Sequence, residues 1–260
     1  MARVVSDKGQ VLGAVQQWLE TPVGEALLKQ ETRLVEGAFD GLFGELCLQL
    51  GRWGSSNNFL RFARTQRATS IVDAGWEVES GKSGVIGQLY RLPVASNSVD
   101  VAFLPHTLDY SDERSHAILR EADRVLTPHG HIVVLGFKPG GLWGLRRLVP
   151  AAGLPPGAGS LVSDRRLSDW LQLLDMRILG VTRYFFRWPL QGNRRLSTTN
   201  WEDWGRRFWP ELSACYMLIA QKRVVTVTPI KKPWRSRPKV VGGIANPSTR
   251  ISRARFDPNR

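Results

Sequence analysis

Residues 92–137, LPVASNSVDVAFLPHTLDYSDERSHAILREADRVLTPHGHIVVLGF, carry the strongest pattern in the chain. Within them, residues 99–104 form an almost continuous apolar run, which is typical of a strand buried on both faces of a sheet. Residues 115–126 place apolar side chains on one face of a helix. A turn at 127–130 ends that helix, and residues 131–137 form a second apolar run. Strand, helix and strand at this spacing predict a right-handed parallel crossover.

Further elements extend this unit in both directions. An amphipathic helix is predicted with Thr21 as its capping residue and Pro22 at its first helical position, and a second helix is predicted over 163–176. Short strands are predicted at 45–54, 67–75, 84–90, 177–186 and 215–225. Alternating strands and helices that end in a strand pair predict an open, mostly parallel, doubly wound α/β sheet.

The composition is that of an ordinary globular protein. At 260 residues and 42% hydrophobic content, the chain can form one large domain or two small ones. The N-terminus lacks a signal-peptide pattern, and no apolar run approaches the roughly 18–20 residues of a membrane span, so we expect a cytoplasmic protein. Cys47 and Cys215 lie in apolar runs, which indicates buried thiols, and no Cys/His spacing indicates a metal site.

Positive charge is concentrated at the C-terminus. Of the formal net charge of +13, residues 226–260 carry +8, because nine Lys or Arg residues accompany a single acid, Asp257. Five prolines and little apolar periodicity make this segment typical of a disordered tail. A solubilising role and a weak contact with nucleic acid or an anionic surface are both open.

The motifs in 92–134, LP-x4-SVD, LREADRVL and PHGHIVV, resemble class I S-adenosylmethionine-dependent methyltransferases, in particular the type 11 domain. Residues 136–147, GFKPGGLWGLRR, are similar to a proteobacterial branch of that family. The resemblance implies a Rossmann-like methyltransferase fold with an antiparallel last strand. Together with the helix and tail patterns, it predicts N-terminal helices at 1–40, a methyltransferase-like domain at 41–225 and the basic tail at 226–260.

The resemblance also implies a site for S-adenosylmethionine at the carboxyl ends of the strands. Asp73 matches the family's acid that accepts from the ribose hydroxyls, although an acid before Ala74-Gly75 is as readily a turn former. Gln88 stands where the family has an acid that accepts from the adenine amino group, and an amide oxygen can also accept that bond. The candidate cofactor-binding residues are Leu50, Gly51, Gly54, Asp73, Gln88, Leu89 and Pro105.

Two further positions depart from the family's glycine-rich loop. Gln49 replaces its acid, and Trp53 replaces its middle glycine. The indole of Trp53 either blocks the approach of the cofactor or stacks elsewhere while Gly54 supplies the turn.

His106 follows the fourth strand, where this fold brings protein close to the reacting methyl group. Its near-neutral pKa makes it the candidate catalytic base, if the acceptor must lose a proton. A histidine hydrogen-bonded at a strand end to fix the loop is an equally good interpretation. Asp109 and Tyr110, just downstream, either line the acceptor pocket or cap the next helix.

Arginines alternate with aromatic residues over 183–209, and Trp143, Arg146 and Arg147 repeat the combination. Such residues can bind bases or anionic substrates. A packed cap over the sheet edge is the interpretation we favour.

Two functions from different classes follow. The first is a methyltransferase that acts on an acceptor the sequence does not identify. The second is a methyltransferase-fold protein without catalysis that binds a partner or RNA through its tail and aromatic segment. Cofactor binding discriminates between them. The core motifs favour the first, whereas Gln49, Trp53 and Gln88 favour the second, and we place the enzyme ahead.

Overall fold

The computed structural model describes residues 2–54, 59–73, 84–111, 114–141, 143, 155–159, 161–186 and 210–223. These residues all fall within the unit Met1–Val224. The tail predicted at 226–260 and most of the arginine and aromatic segment, residues 187–209, lie outside the described residues. The division into three parts therefore stays a prediction.

Seven strands in the described part of the chain form one sheet. Their bounds are β1 Phe43–Leu50, β2 Arg64–Val72, β3 Val85–Ile86, β4 Val99–Pro105, β5 Leu126–Phe137, β6 Met176–Tyr184 and β7 Cys215–Lys222. The order across the sheet is β3-β2-β1-β4-β5-β7-β6. The first five strands are parallel, and β7 runs antiparallel to both β5 and β6. The predicted fold class, including the antiparallel last strand, is confirmed.

In the described part of the chain, four α-helices pack on this sheet, α1 Ala2–Leu19, α2 Pro22–Phe39, α3 Ser115–Val125 and α4 Asp164–Leu173. Thr21 caps α2 by accepting from the Gly24 amide at 3.3 Å, as the sequence predicted, and Ser163 caps α4 in the same way. Among the described residues, none of these helices is both long and apolar enough to cross a membrane.

Each face of the sheet has its own buried core. The core on one face includes Ile118 and Leu119 of α3 with Ala102 and Leu104 of β4. The core on the other face contains α1 and α2 residues packed with the alternate β4 residues, of which Phe103 is fully buried. Because helices cover both faces of β4, its side chains are apolar on both sides, which explains the continuous apolar run in its sequence.

The junction between α3 and β5 differs from the prediction. The turn expected at 127–130 lies inside β5, because the strand begins at Leu126, directly after α3 ends at Val125. Val99 pairs with Leu126, but Val101 pairs with His131, so the extra β5 residues are absorbed as an irregularity in the ladder. This junction keeps the carboxyl ends of β4 and β5 side by side, which matters for the site below.

Candidate functional site

The carboxyl ends of β1 and β4 meet at one edge of the sheet. Gly51 follows β1 in a left-handed conformation, with φ of 83°, and its amide donates to the Ile71 carbonyl at 2.8 Å. Thr107 follows β4, and its hydroxyl donates to the Leu50 carbonyl. A side chain at Gly51 would place its Cβ 2.9 Å from Thr107 Oγ1. The structure therefore brings the predicted residues Leu50, Gly51, Pro105 and His106 into one neighbourhood.

Gln49, in the family's acid position, lies buried in β1. Its side-chain amide donates to the Gly51 carbonyl at 3.0 Å. A carboxylate cannot donate that bond, so this departure from the family pattern has a local structural use in fixing the start of the loop.

Trp53 is turned into the core rather than toward solvent. Its side chain is 2% exposed, and its indole N–H donates to Glu31 Oε2 at 2.7 Å. Gly54, which follows, has φ of 72° and supplies the turn. Of the two alternatives for Trp53, the structure shows the one in which the indole stacks elsewhere.

The other candidate cofactor residues follow β2 and β3 at the same edge. Asp73 directly follows β2 and is half-buried. Gln88 follows β3 on the surface and forms an isolated antiparallel bridge with Arg91, while Leu89 beside it is buried. Their position at the ends of neighbouring parallel strands agrees with the predicted site, and their role in cofactor binding stays a prediction.

His106 is fully buried, and both of its ring nitrogens are hydrogen-bonded to carboxylates. Nε2 lies 2.8 Å from Glu31 Oε1, and Nδ1 lies 3.0 Å from Asp109 Oδ2. Its ring contacts those of Trp53 and Phe137, at centroid distances of 4.3 and 4.1 Å, and these two rings also contact each other at 5.8 Å. This is the geometry of a histidine that fixes the loop. Catalysis by His106 stays a prediction, and it requires one of these hydrogen bonds to break.

Glu31 is the residue of this site that the sequence interpretation missed. It lies on α2 with its side chain fully buried, and it accepts from Trp53, from His106 and from the Tyr184 hydroxyl at 3.0 Å. A signal was present, because Leu27, Glu31 and Val35 recur every four residues and share the buried stripe of the helix. Acids are almost never fully buried unless paired, so an acid in such a stripe indicates a polar site.

Asp109 joins the cluster from the 3-10 turn Thr107–Tyr110. Its Oδ2 accepts from His106 and from the Phe137 amide at 3.0 Å, so it anchors the turn to the end of β5 and does not cap α3. Its Oδ1 is buried without a hydrogen-bond partner among the described residues. Burial raises the pKa of Asp109, against the opposing effects of His106 and the Phe137 amide.

We refer to Glu31, His106 and Asp109 together as the His106 cluster. Burial alone would lower the pKa of His106, but the charges and hydrogen bonds of Glu31 and Asp109 outweigh it and raise the pKa to about 9. A ring with that pKa is an imidazolium at neutral pH, and it then has one N–H for each of the two carboxyl oxygens beside it.

Comparison with known proteins agrees with this architecture. The family model described as "Methyltransferase domain" matches residues 54–134. An S-adenosylmethionine-dependent methyltransferase from Archaeoglobus fulgidus superposes with a TM-score of 0.54 at 18% identity, over 76% of this chain and 94% of that one. Residues 54–134 thus match the methyltransferase domain model, and the sheet that contains them has the Rossmann-like fold of the S-adenosylmethionine-dependent methyltransferases.

Two further similarities bear on how far this assignment extends. The Escherichia coli (strain K12) "Uncharacterized protein YafS" is 29% identical over 235 residues, which span 89% of this chain and 91% of that protein. The [4+2]-cyclase SpnF superposes with a TM-score of 0.50 at 18% identity, over 75% of this chain and 80% of that one. The first agrees with a proteobacterial branch of the family. The second illustrates that the fold alone does not fix the reaction.

Proposed function

We propose that this chain binds S-adenosylmethionine at the carboxyl ends of β1, β2, β3 and β4 and transfers the methyl group to an acceptor. The observation that supports this most is the loop after β1. There, two glycines in left-handed conformations, Gly51 and Gly54, flank Trp53, whose buried indole does not occupy the surface of the loop. The family match at residues 54–134 adds to it.

The residues present fit the cofactor. Gly51 has no space for a side chain against Thr107, so its backbone lies close to the turn after β4, where an extended ligand can contact both. Asp73 after the next strand is a carboxylate that can accept from two vicinal hydroxyls. Gln88 Oε1 can accept from an amino group, and the neighbouring Leu89 supplies apolar surface for a base.

The bound cofactor would supply an electrophilic methyl group on a sulfonium, for in-line displacement by a nucleophile. The chain's contribution in this proposal is proximity and alignment by the turn after β4. Proton removal is not assigned to His106, because both its nitrogens are already bonded to carboxylates. An acceptor that is nucleophilic without losing a proton to the protein agrees best with this arrangement.

Calorimetric titration with S-adenosylmethionine and S-adenosylhomocysteine tests the proposal. We expect binding by the wild type and a loss of at least tenfold in affinity for Asp73→Ala and Gln88→Ala. Matched controls are Asp169→Ala and Gln172→Ala, which change exposed residues of α4 and should bind as the wild type does. Absence of both heat and thermal stabilisation in the wild type would overturn the proposal.

Such a negative result would favour the non-catalytic alternative, a methyltransferase-fold protein that binds a partner or RNA. That alternative predicts a salt-sensitive affinity for nucleic acid that falls when residues 226–260 are deleted. Contact of the basic tail with nucleic acid or an anionic surface, and location in the cytoplasm, both stay predictions. Calorimetry with the full chain and with the deletion variant at two salt concentrations tests the first of these.

A further inference from the structure

We propose that Glu31 and Asp109 are positioning residues that hold the His106 ring from both sides. By holding it, they fix the turn after β4 against the loop after β1. The position of this turn sets the affinity for the cofactor. This inference rests on the proposed function, because the affinity in question is that for S-adenosylmethionine and its product. It adds a role for α2, which the family match at 54–134 does not include.

The backbone at His106 is the first step of the argument. His106 has a left-handed conformation, with φ of 54°, which costs a non-glycine residue on the order of 1 kcal/mol. Thr107 follows directly and donates to the Leu50 carbonyl while packing on Gly51. The orientation of the His106 ring is therefore coupled, through one peptide unit, to the contact that shapes the proposed cofactor loop.

The partners of the cluster come from elements far apart in the sequence. Glu31 comes from α2, 75 residues before His106, and the Tyr184 hydroxyl that donates to it comes from the end of β6. Asp109 links to the Phe137 amide at the end of β5, and Trp53 brings in the loop after β1. Movement of any of these elements is transmitted to the turn after β4.

While Glu31 and Asp109 are both ionised, only a protonated His106 ring can donate to both of them. A neutral imidazole has one N–H, so it can donate to Glu31 or to Asp109 and must present a lone pair to the other. Among the described residues, the other titratable groups that interact with Glu31 or Asp109 are Tyr184, Tyr110, Cys215 and Tyr216. Burial raises the pKa of each of these well above its usual value, so they stay neutral and do not replace the imidazolium. Loss of the His106 proton therefore breaks one of the two bonds that hold the turn.

The Asp109→Asn variant removes the charge of this side chain and keeps its size and shape. The amide oxygen can accept from His106 Nδ1 and from the Phe137 amide, as Oδ2 does now. The amide NH2 then takes the place of Oδ1, which has no hydrogen-bond partner among the described residues. Glu31 permits no such exchange, because its two oxygens accept three bonds and an amide has a single accepting oxygen.

The experiment measures the affinity for S-adenosylhomocysteine by calorimetry between pH 6.5 and 9.5, in the wild type, Asp109→Asn and the surface control Asp169→Asn. We expect wild-type affinity to fall as the pH passes about 9, the pKa to which the two carboxylates raise His106. In Asp109→Asn the fall should begin at lower pH, with affinity about tenfold below that of the wild type at pH 8. Asp169→Asn should follow the wild type. A purely structural contribution of Asp109 would weaken binding equally at every pH.

NMR titration of the four histidine rings accompanies the binding data and identifies the group that titrates. Equal affinity and equal pH dependence in folded Asp109→Asn and wild type overturn the positioning role and leave the proposed function standing. No binding by the wild type, with His106 still titrating near the value above, overturns both. A His106 midpoint that does not move in Asp109→Asn overturns the positioning role even where the variant binds weakly.

Discussion

Nε2 of His106 lies 2.8 Å from Oε1 of Glu31, inside the core and across 75 residues of sequence. This contact joins α2, on one face of the sheet, to the turn at the carboxyl end of β4. Both side chains are fully excluded from solvent. A buried ion pair of this kind is weak evidence for stability, since desolvation opposes it, but removing one partner leaves an uncompensated charge. We therefore expect the pair to add little net stability over an apolar pair, to fix the geometry of the turn, and to become costly when one partner loses its charge.

The stability of the protein should fall as the pH rises from neutral. The pKa of His106 is about 9 in the folded chain against 6.5 for an unperturbed histidine, so the folded state binds the extra proton. This contribution, on the order of 3 kcal/mol, is fully present below pH 6.5 and is lost as the pH rises through about 9. The raised pKa of Asp109 acts in the same direction at lower pH. Urea unfolding between pH 6.5 and 9.5 measures the change.

The control for this pH dependence is His116→Gln, which changes an exposed histidine of α3. It should keep the wild-type slope of stability against pH, whereas Asp109→Asn should reduce it. A wild-type stability that is constant from pH 6.5 to 9.5 would contradict the assignment of a buried imidazolium.

Gly51→Ala should abolish cofactor binding or weaken it by at least about tenfold. An alanine at φ of 83° costs roughly 1–2 kcal/mol, and its Cβ would lie 2.9 Å from Thr107 Oγ1, so the turn after β4 must shift. Gly37→Ala is the matched control, since it lies in α2 with open space around the added methyl group. It should leave binding of S-adenosylhomocysteine unchanged. Equal binding by both variants would argue against a cofactor loop at Gly51.

Trp53→Phe should destabilise the fold by about 1–3 kcal/mol, because Glu31 loses a buried donor while a ring still packs on His106. Trp170→Phe makes the same change at a half-buried site on α4, where the ring contacts His116, and should cost less. Urea unfolding of both variants gives the comparison. A smaller cost at Trp53 than at Trp170 would show that the bond to Glu31 contributes little.

Much of the fold was predictable because its signals are local. The apolar run of β4, the stripe of α3 and the cap at Thr21 each depend on residues near in sequence, and each was found. The start of β5 was misplaced because Pro128 and Gly130 usually interrupt regular structure. Here the extra residues fit as an irregularity opposite β4.

The site was less predictable because its contacts are long-range. Glu31 and Tyr184 are 153 residues apart, and no sequence spacing links them. From the sequence, the Trp53 indole could lie in the core or block the cofactor loop. Its hydrogen bond to the buried Glu31 fixes it in the core. His106 was found as a polar residue after β4. Its double pairing depends on two carboxylates that tertiary packing brings to it.

Hydrogen exchange measured by mass spectrometry, with and without saturating S-adenosylhomocysteine, is the sharpest test of a cofactor site at the carboxyl ends of β1 to β4, next to the His106 cluster. We predict slower exchange in peptides that cover residues 50–54, 71–73, 87–90 and 105–109. Peptides from the middle of β6 and the end of β7, residues 177–182 and 219–222, should not change. No protection anywhere, or protection confined to β6 and β7, would contradict a cofactor site at this edge of the sheet.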